Sequence, residues 1–344
     1  LSGTGATSPT KLMNVLLTGG TGYIGSHVAT VLCQQGHKVV LYDNLSNSSV
    51  EVVYMLNRIL GQDLVFVQGD ICDFNLLCDT LMTERIDAVM HFAGLKAVSE
   101  SYHKPIDYYL NNVQGAISLL RAIRLTKIRK LIFSSSATVY GEPKYLPLDE
   151  KHPTAPINPY GRSKLQVEDM LADIANSDSE FCSMSLRYFN PVGAHDSGLI
   201  GEDPFGHPEN LMPLIAQVAS GLKSELTIFG EDYATSDGTG VRDYIHVTDL
   251  AKGHVAALSF LKENPGYQVV NLGTGIGHSV LEVVRTFECI SKKSVPYSFS
   301  DRRPGDVPVS YANCNKANEL LHWRPQYNLS EMCESVWKYT IKLS

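Results

Sequence analysis

No run of 18 apolar residues occurs anywhere in the chain, so the sequence offers no candidate membrane-spanning helix. Positive charge is also short. Twenty-nine Lys and Arg stand against 36 Asp and Glu, a net charge of −7, which argues against a nucleic-acid or anionic-membrane partner. The seven cysteines (33, 72, 78, 182, 289, 314 and 333) form no Cys-x-x-Cys pair and match no metal-ligand spacing. An odd, scattered set reads as reduced thiols, so the expected setting is cytoplasmic and the expected metal content is none. Asn44, Asn47 and Asn328 each open an Asn-x-Ser triplet, but with no signal sequence ahead of them these read as chance matches. Internal repeats and low-complexity tracts are absent. Residues 1–12 read as a cloning remnant ahead of a natural start at Met13.

What is abundant is glycine at one place. The apolar run Asn14-Val15-Leu16-Leu17 leads into Thr18-Gly19-Gly20-Thr21-Gly22-Tyr23-Ile24-Gly25, with glycines three apart at 19, 22 and 25. This fits a buried parallel strand turning sharply into a helix. One glycine permits the turn, one lets the backbone approach a pyrophosphate, and one allows close helix–strand packing. The helix N-terminus then presents N–H groups to an anion. A second apolar run, Val39–Tyr42, ends in Asp43, about 20 residues on, where a carboxylate can accept hydrogen bonds from an adenosine ribose. A 2′-phosphate would be repelled there, so NAD is expected rather than NADP.

Strand-like apolar runs recur at 14–18, 39–43, 64–68, 87–93, 130–135 and 183–188, separated by helical patterns. Such alternation predicts βαβ units in a doubly wound parallel sheet, with ligands beyond the carboxyl ends of the strands. Several runs end in residues suited to a cofactor: Gly19, Asp43, Asp70, Ala93-Gly94 and Ser134-Ser135-Ser136. After about residue 190 glycine, proline and aspartate rise and strands become short. This predicts a smaller mixed α/β lobe over 191–344, with 13–190 as the cofactor domain. Segments near 239–275 (a helix at 248–262, a strand at 267–272) are expected to return to the first domain.

Tyr160 and Lys164 lie four apart on a predicted helix and share a face. A free phenol, with a pKa of about 10, is a poor base at neutral pH. Lowering it by about three units takes about 4 kcal/mol, which a cation about 4 Å away at an effective dielectric of about 20 supplies. Lys164, helped by an oxidised nicotinamide, is therefore expected to make Tyr160 a base for a sugar hydroxyl. Ser136, at the end of the 130–135 run, can hydrogen-bond the reacting oxygen, or else cap a helix.

Six segments together carry a resemblance: Thr18–His27, His91–Val98, Ser134–Gly141, Tyr160–Lys164, Leu186–Ala194 and Gly238–His246. The chain from Met13 to beyond residue 330 resembles the UDP-galactose 4-epimerases of the extended short-chain dehydrogenase/reductase family, and the sheet would be Rossmann-type. The resemblance implies an NAD site lined by Gly19, Gly22, Tyr23, Ile24, Gly25, Asp43, Asn44, Asn47, Asp70, Ile71, Phe92, Ala93, Lys96, Asn111, Ser134, Tyr160, Lys164 and Tyr188. It implies a UDP-hexose site formed by Lys96, Ser136, Tyr160, Phe189, Asn190, Asn210, Leu211, Thr227, Phe229, Arg242, Arg303, Asp306 and Ser310. Arginines suit a diphosphate by charge and fork geometry. The implied activity is inversion at C4 of the sugar through transient oxidation by bound NAD, with Tyr160, Lys164 and Ser136 catalytic. A 4,6-dehydratase would need an acidic pair just after the strand-end serines, where Ala137-Thr138 stand. A UDP-uronate epimerase or decarboxylase would share the fold, and the specific segments above favour galactose over it. A non-catalytic NAD-sensing scaffold would be expected to lack the Tyr or the Lys, and both are present. His27, His91, His246 and His254 read as packing or capping residues. In relatives the position matching Ser310 gates the sugar pocket, and a small residue there admits a 2-acetamido group. A one-residue change of register would put Tyr311 at the gate instead. Relatives also pair the helices matching 111–127 and 160–176 across a two-fold axis, so a homodimer is expected.

Overall fold

The computed structural model describes residues 12–203, 210–303 and 305–343. Residues 1–11, within the segment expected to be a cloning remnant, and Pro304, next to Arg303 of the expected UDP-hexose site, lie outside that set. The first half alternates β1 (Asn14–Thr18), α1 (Tyr23–Gln34), β2 (Lys38–Asp43), α2 (Glu51–Leu60), β3 (Val65–Gln68), α3 (Phe74–Thr83) and β4 (Ala88–His91). It continues with α4 (Val98–His103), α5 (Pro105–Tyr108), α6 (Gly115–Thr126), β5 (Lys130–Ser136), α7 (Pro159–Ser177) and β6 (Cys182–Tyr188). The second half runs β7 (Asn190–Val192), α8 (Leu211–Ala219), β8 (Leu226–Phe229), β9 (Val241–His246), α9 (Val247–Phe260) and β10 (Gly266–Leu272). It ends with β11 (Gly277–Ser279), α10 (Val280–Ser291), β12 (Tyr297–Ser300), β13 (Val309–Ser310), α11 (Asn315–Leu321) and α12 (Leu329–Leu343).

Seven strands form one parallel sheet in the order β10-β6-β5-β4-β1-β2-β3. The expected doubly wound α/β sheet is therefore present. Its central strands β1, β2 and β4 are largely apolar on both sides because both sides are covered. One core joins Leu17, Val28, Leu32 and Leu41 to Leu250, Ala251 and Leu258, seating α1 and α9 on one face. The other joins Leu16, Leu77, Leu119, Phe133, Val167 and Leu171, seating α3, α6 and α7 on the opposite face. Strand order reverses between β1 and β4, which opens a crevice at their carboxyl ends.

Two expectations shift locally. The 87–93 run is a strand only over Ala88–His91, because the N–H groups of Phe92 and Ala93 both turn back to the Thr18 carbonyl, at 2.9 and 3.0 Å. The helix expected over 111–127 begins as a π-helical turn, Tyr109–Gln114, before becoming α6. The remaining strands form a second lobe, with β9 between β11 and β13 and also paired to β7, and β8 paired to β12. That lobe has its own core around Ile215, Ile228, Tyr244, Val283 and Phe287. Among the described residues no helix is long and apolar enough to cross a membrane.

Candidate active site

The glycine loop is shaped by backbone proximity. Gly19 has φ +69, and a Cβ there would lie 2.6 Å from the Ala93 nitrogen; at Gly25 a Cβ would lie 2.3 Å from the Gly19 carbonyl oxygen. Neither position accepts a side chain. Gly22 is the N-cap of α1, and no side chain caps that helix or places an acid in its first turn. The N–H groups at this end are thus available to an anion in the crevice, which fits a dinucleotide pyrophosphate. Ile24, beside them, packs into the α1–α9 core.

Register then brings the flanking residues together. Gly19 N–H donates to the Tyr42 carbonyl at 2.8 Å, so Asp43 stands beside the loop. Its carboxylate accepts from Thr21 N–H at 3.2 Å and from Leu45 N–H at 2.9 Å. Asn44 Nδ2 donates to Asp70 Oδ2 at 2.9 Å, joining the ends of β2 and β3. Ile71 is buried against Gly115, and Asn47 is exposed on the loop before α2. The π turn leaves Asn111 half-buried. Its neighbour Asn112 is fully buried, accepting from Leu95 N–H at 2.8 Å and donating to Leu95 O and Ser163 Oγ, both at 3.0 Å. Asn112 therefore fixes the 93–97 loop against α7, a role the sequence had not suggested.

On α7, Tyr160 opens partly to the crevice, while Lys164 is 5% exposed. Lys164 Nζ donates to the Ser134 carbonyl at 2.8 Å and lies 5.8 Å from the Tyr160 ring centroid. Burial raises the Tyr160 phenol above its ordinary pKa, and a Ser136 hydrogen bond opposes this. Burial likewise pushes Lys164 down to about 8, against the attraction of Glu168. The expected lowering of the phenol by Lys164, helped by an oxidised nicotinamide, does not come from Lys164 by itself. Its ammonium is committed to a backbone carbonyl at that distance, and desolvation outweighs its field. Ser136 accepts from Thr138 N–H and Thr138 Oγ1 at 3.2 and 3.0 Å, so it both caps the turn after β5 and reaches Tyr160. Tyr188, opposite Ser136 in register, is hydrogen-bonded to His254, whose ring also lies 5.0 Å from Phe92.

The second lobe brings the remaining candidates over this face. Tyr23 Oη donates to the Gly193 carbonyl at 2.7 Å, tying the start of α1 to that lobe. Lys96 Nζ and Asn210 Nδ2 converge on Glu202 Oε1 at 2.9 and 2.5 Å. Nothing in the sequence had singled out Glu202. Phe189 is buried, Asn190 is exposed at the start of β7, and Leu211 opens α8. Thr227 and Phe229 lie on β8, where the Arg303 guanidinium sits 3.9 Å from the Phe229 ring centroid. Arg242 Nη2 donates to Asp306 Oδ1 at 2.8 Å. Ser310 pairs with Arg242 in parallel register and so shares its face. The Tyr311 ring instead lies 3.5 Å from where a Gly277 Cβ would stand, on the other side. The histidines do pack or cap: His246 accepts from Thr248 N–H at the start of α9, and His91 hydrogen-bonds Thr18 at 2.7 Å.

A parallel sheet with a glycine-lined switch point and a Tyr-x-x-x-Lys helix at its carboxyl edge defines an extended short-chain dehydrogenase/reductase. A family model described as GDP-mannose 4,6 dehydratase matches residues 16–336. The chain is 50% identical to UDP-glucose 4-epimerase of Bacillus subtilis over 327 residues, 95% of this chain and 96% of that one. A solved UDP-glucose 4-epimerase from Stenotrophomonas maltophila, with bound NAD and formylated UDP-arabinopyranose, superposes with a TM-score of 0.94 at 50% identity, covering 96% and 98% of the two chains. The Bifidobacterium longum enzyme, in complex with NAD+ and UDP, gives 0.93 at 46% identity, covering 96% and 98%. The chain belongs to the UDP-glucose 4-epimerase family.

Proposed function

We propose that this chain interconverts UDP-galactose and UDP-glucose, holding NAD throughout the cycle. The observation that carries this is the grouping of Tyr160, Ser136 and Lys164 beside the uncapped glycine end of α1, in a chain of this family. Bound NAD supplies a reversible acceptor for the hydrogen on C4 of the sugar. Tyr160 Oη takes the O4 proton and later returns it, with Ser136 orienting that oxygen. Both hydrogens come back to the sugar, so only the configuration at C4 changes. Lys164 contributes positive charge below its pKa of about 8.

Residues 13–190, with the returning segment near 239–275, serve as the NAD domain, and 191–344 mainly hold the UDP-hexose. Asp43 selects NAD, since a 2′-phosphate would meet its carboxylate. Asn44, Asn47, Asp70, Phe92 and Asn111 complete that pocket. Arg242 and Arg303 neutralise the diphosphate, and Asn190, Asn210 and Asp306 address sugar and base. The small Ser310 on the Arg242 face leaves room for a 2-acetamido group, so UDP-GlcNAc and UDP-GalNAc belong to the substrate range. Exposed Ile106, Leu110 and Leu125 along α5, the π turn and α6 support a homodimer, and seven free thiols support a cytoplasmic setting.

Incubation of the purified protein with UDP-galactose, followed by chromatographic product analysis, tests the reading. UDP-glucose is the expected product. A 4-keto-6-deoxy sugar would make the chain a dehydratase. Turnover of UDP-glucuronate alone would make it a uronate enzyme, and no turnover with NAD bound would make it a scaffold.

A further inference from the structure

Three residues of α7 at intervals of four, Tyr160, Lys164 and Glu168, face three consecutive serines of β5. Ser136 hydrogen-bonds Tyr160, the Ser134 carbonyl holds Lys164 Nζ at 2.8 Å, and Ser135 Oγ donates to Glu168 Oε1 at 2.5 Å. Directly opposite Ser135 in the β5–β6 register is Arg187. Its Nε and Nη2 donate to Glu168 Oε1 and Oε2 at 3.0 and 2.6 Å. Glu168 is 3% exposed and Arg187 5%. The guanidinium also lies 4.8 Å from the Tyr140 ring centroid, and its Nη1 is buried without a hydrogen-bond acceptor.

We propose that Glu168 is a positioning residue for the reaction, keeping Lys164 charged and the strand-end serines in place through its ion pair with Arg187. This rests on the epimerase reading of Tyr160. A buried ion pair seldom adds net stability over apolar residues of similar volume, so fold stability alone does not account for one behind the reacting group. The surrounding charges give it a task. Lys164 is faced by Glu168 from its own helix and by His91 from β4, which burial keeps neutral. Glu168 is in turn faced by Arg187 from β6, Tyr267 from β10 and Asp169 on α7, with Tyr140 and Lys316 beyond Arg187. Glu168 is thus the negative charge acting on Lys164. Without it, burial would act on Lys164 unopposed, and Lys164 would give up its proton at lower pH. The bond from Ser135 Oγ to Glu168 and the bond from Lys164 Nζ to the Ser134 carbonyl tie adjacent residues of β5 to α7, and so fix the backbone that presents Ser136.

Glu168→Gln keeps the size and accepting oxygen of the side chain and removes its charge. Carbon-13 NMR titration of the Lys164 side chain, assigned by its loss in Lys164→Met, reads the effect directly. The Lys164 titration should move down by about one pH unit in Glu168→Gln, because an opposite charge at this range is worth about 1–3 units. In the UDP-galactose assay, kcat at pH 8 should fall about fivefold while KM holds, as the protonated share of Lys164 drops from about a half to about a tenth, and Glu168→Asp should restore most of it. An unshifted Lys164 titration, or a loss of activity equal at every pH, would overturn the proposal. If Glu168→Gln does not fold, the double change Glu168→Gln with Arg187→Met removes both charges. A Lys164 titration still below that of wild type supports the proposal, and one unchanged from wild type overturns it. The titration is independent of turnover, so failure of wild type to convert UDP-galactose counts against the epimerase reading alone.

Discussion

Replacing Tyr160 by Phe removes a single oxygen from a side chain packed edge-on against Tyr108, with ring centroids 6.5 Å apart, so the packing survives and only the proton carrier is lost. The expected outcome is a folded, NAD-containing protein whose kcat for UDP-galactose falls by about 10²–10⁴. Near-normal turnover would remove Tyr160 from the mechanism. Lys164 makes the opposite argument, since its burial works against the fold. The unfolded lysine keeps its proton up to a pH of about 10.4, whereas the folded one releases it at about 8. Between those values the unfolded chain binds more protons and stability rises with pH; below 8 the full penalty remains. Lys164→Met should therefore stabilise the nucleotide-free protein at pH 7 by up to about 3 kcal/mol, and by little at pH 10, while removing activity. Urea unfolding at the two pH values checks this. A less stable Lys164→Met at pH 7 would show that the Ser134 hydrogen bond outweighs the desolvation.

Among the elements, β13 carries the most specific expectation. Ser310 shares a face with Arg242 while Tyr311 turns toward β11, so Ser310→Tyr places a ring on the Arg242 face. Wild type should convert both UDP-GlcNAc and UDP-galactose, and Ser310→Tyr only the latter. Wild-type activity confined to UDP-galactose would remove the open pocket, and a variant with both activities intact would clear Ser310 of the role. Most of the parallel strands were legible because they are apolar runs ending in a residue that leaves the sheet, although β6 interrupts its run with Ser183, Ser185 and Arg187. Their limits were less so: Phe92 and Ala93 are as apolar as a strand, yet the Thr18 carbonyl turns their N–H groups out of the ladder. A π turn at 109–114 and an α-helix have nearly the same side-chain spacing over six residues, so the pattern could not tell them apart. Spacing placed Tyr160 and Lys164 on one face, but only the tertiary position of β5 shows which acceptor takes the ammonium. Glu168 stood in view at the next step of four. Its partner Arg187 is 19 residues away on another strand, and Glu202 joins Lys96 to Asn210 across 106 and 8 residues, separations that no local pattern encodes.

For the molecule as a whole, four buried histidines govern its response to acid. Burial pushes His27 and His91 down to about 3, and His246 and His254 down to about 4. In the unfolded chain each takes a proton below a pH of about 6.5, while in the fold it stays neutral, so stability falls as pH drops through that window. At pH 5 each is worth about 2 kcal/mol and the four together about 8, comparable with the whole stability of about 5–15 kcal/mol of an ordinary domain. Urea midpoints at pH 7.5 and 5 should differ accordingly, and a loss below about 2 kcal/mol would mean that the histidines ionise within the fold. The sheet order has another consequence, for synthesis on the ribosome. The chain leaves the sheet after Tyr188, builds much of the second lobe, and returns to pair Gly266 with Cys182. Until β10 has emerged, β6 is an open edge with seven residues that the finished fold buries. At about 5–20 residues per second, the roughly 80 intervening residues take about 4–16 seconds to make. For that interval the nascent chain carries a sticky, hydrogen-bond-hungry border, open to pairing with any other unfolded strand nearby.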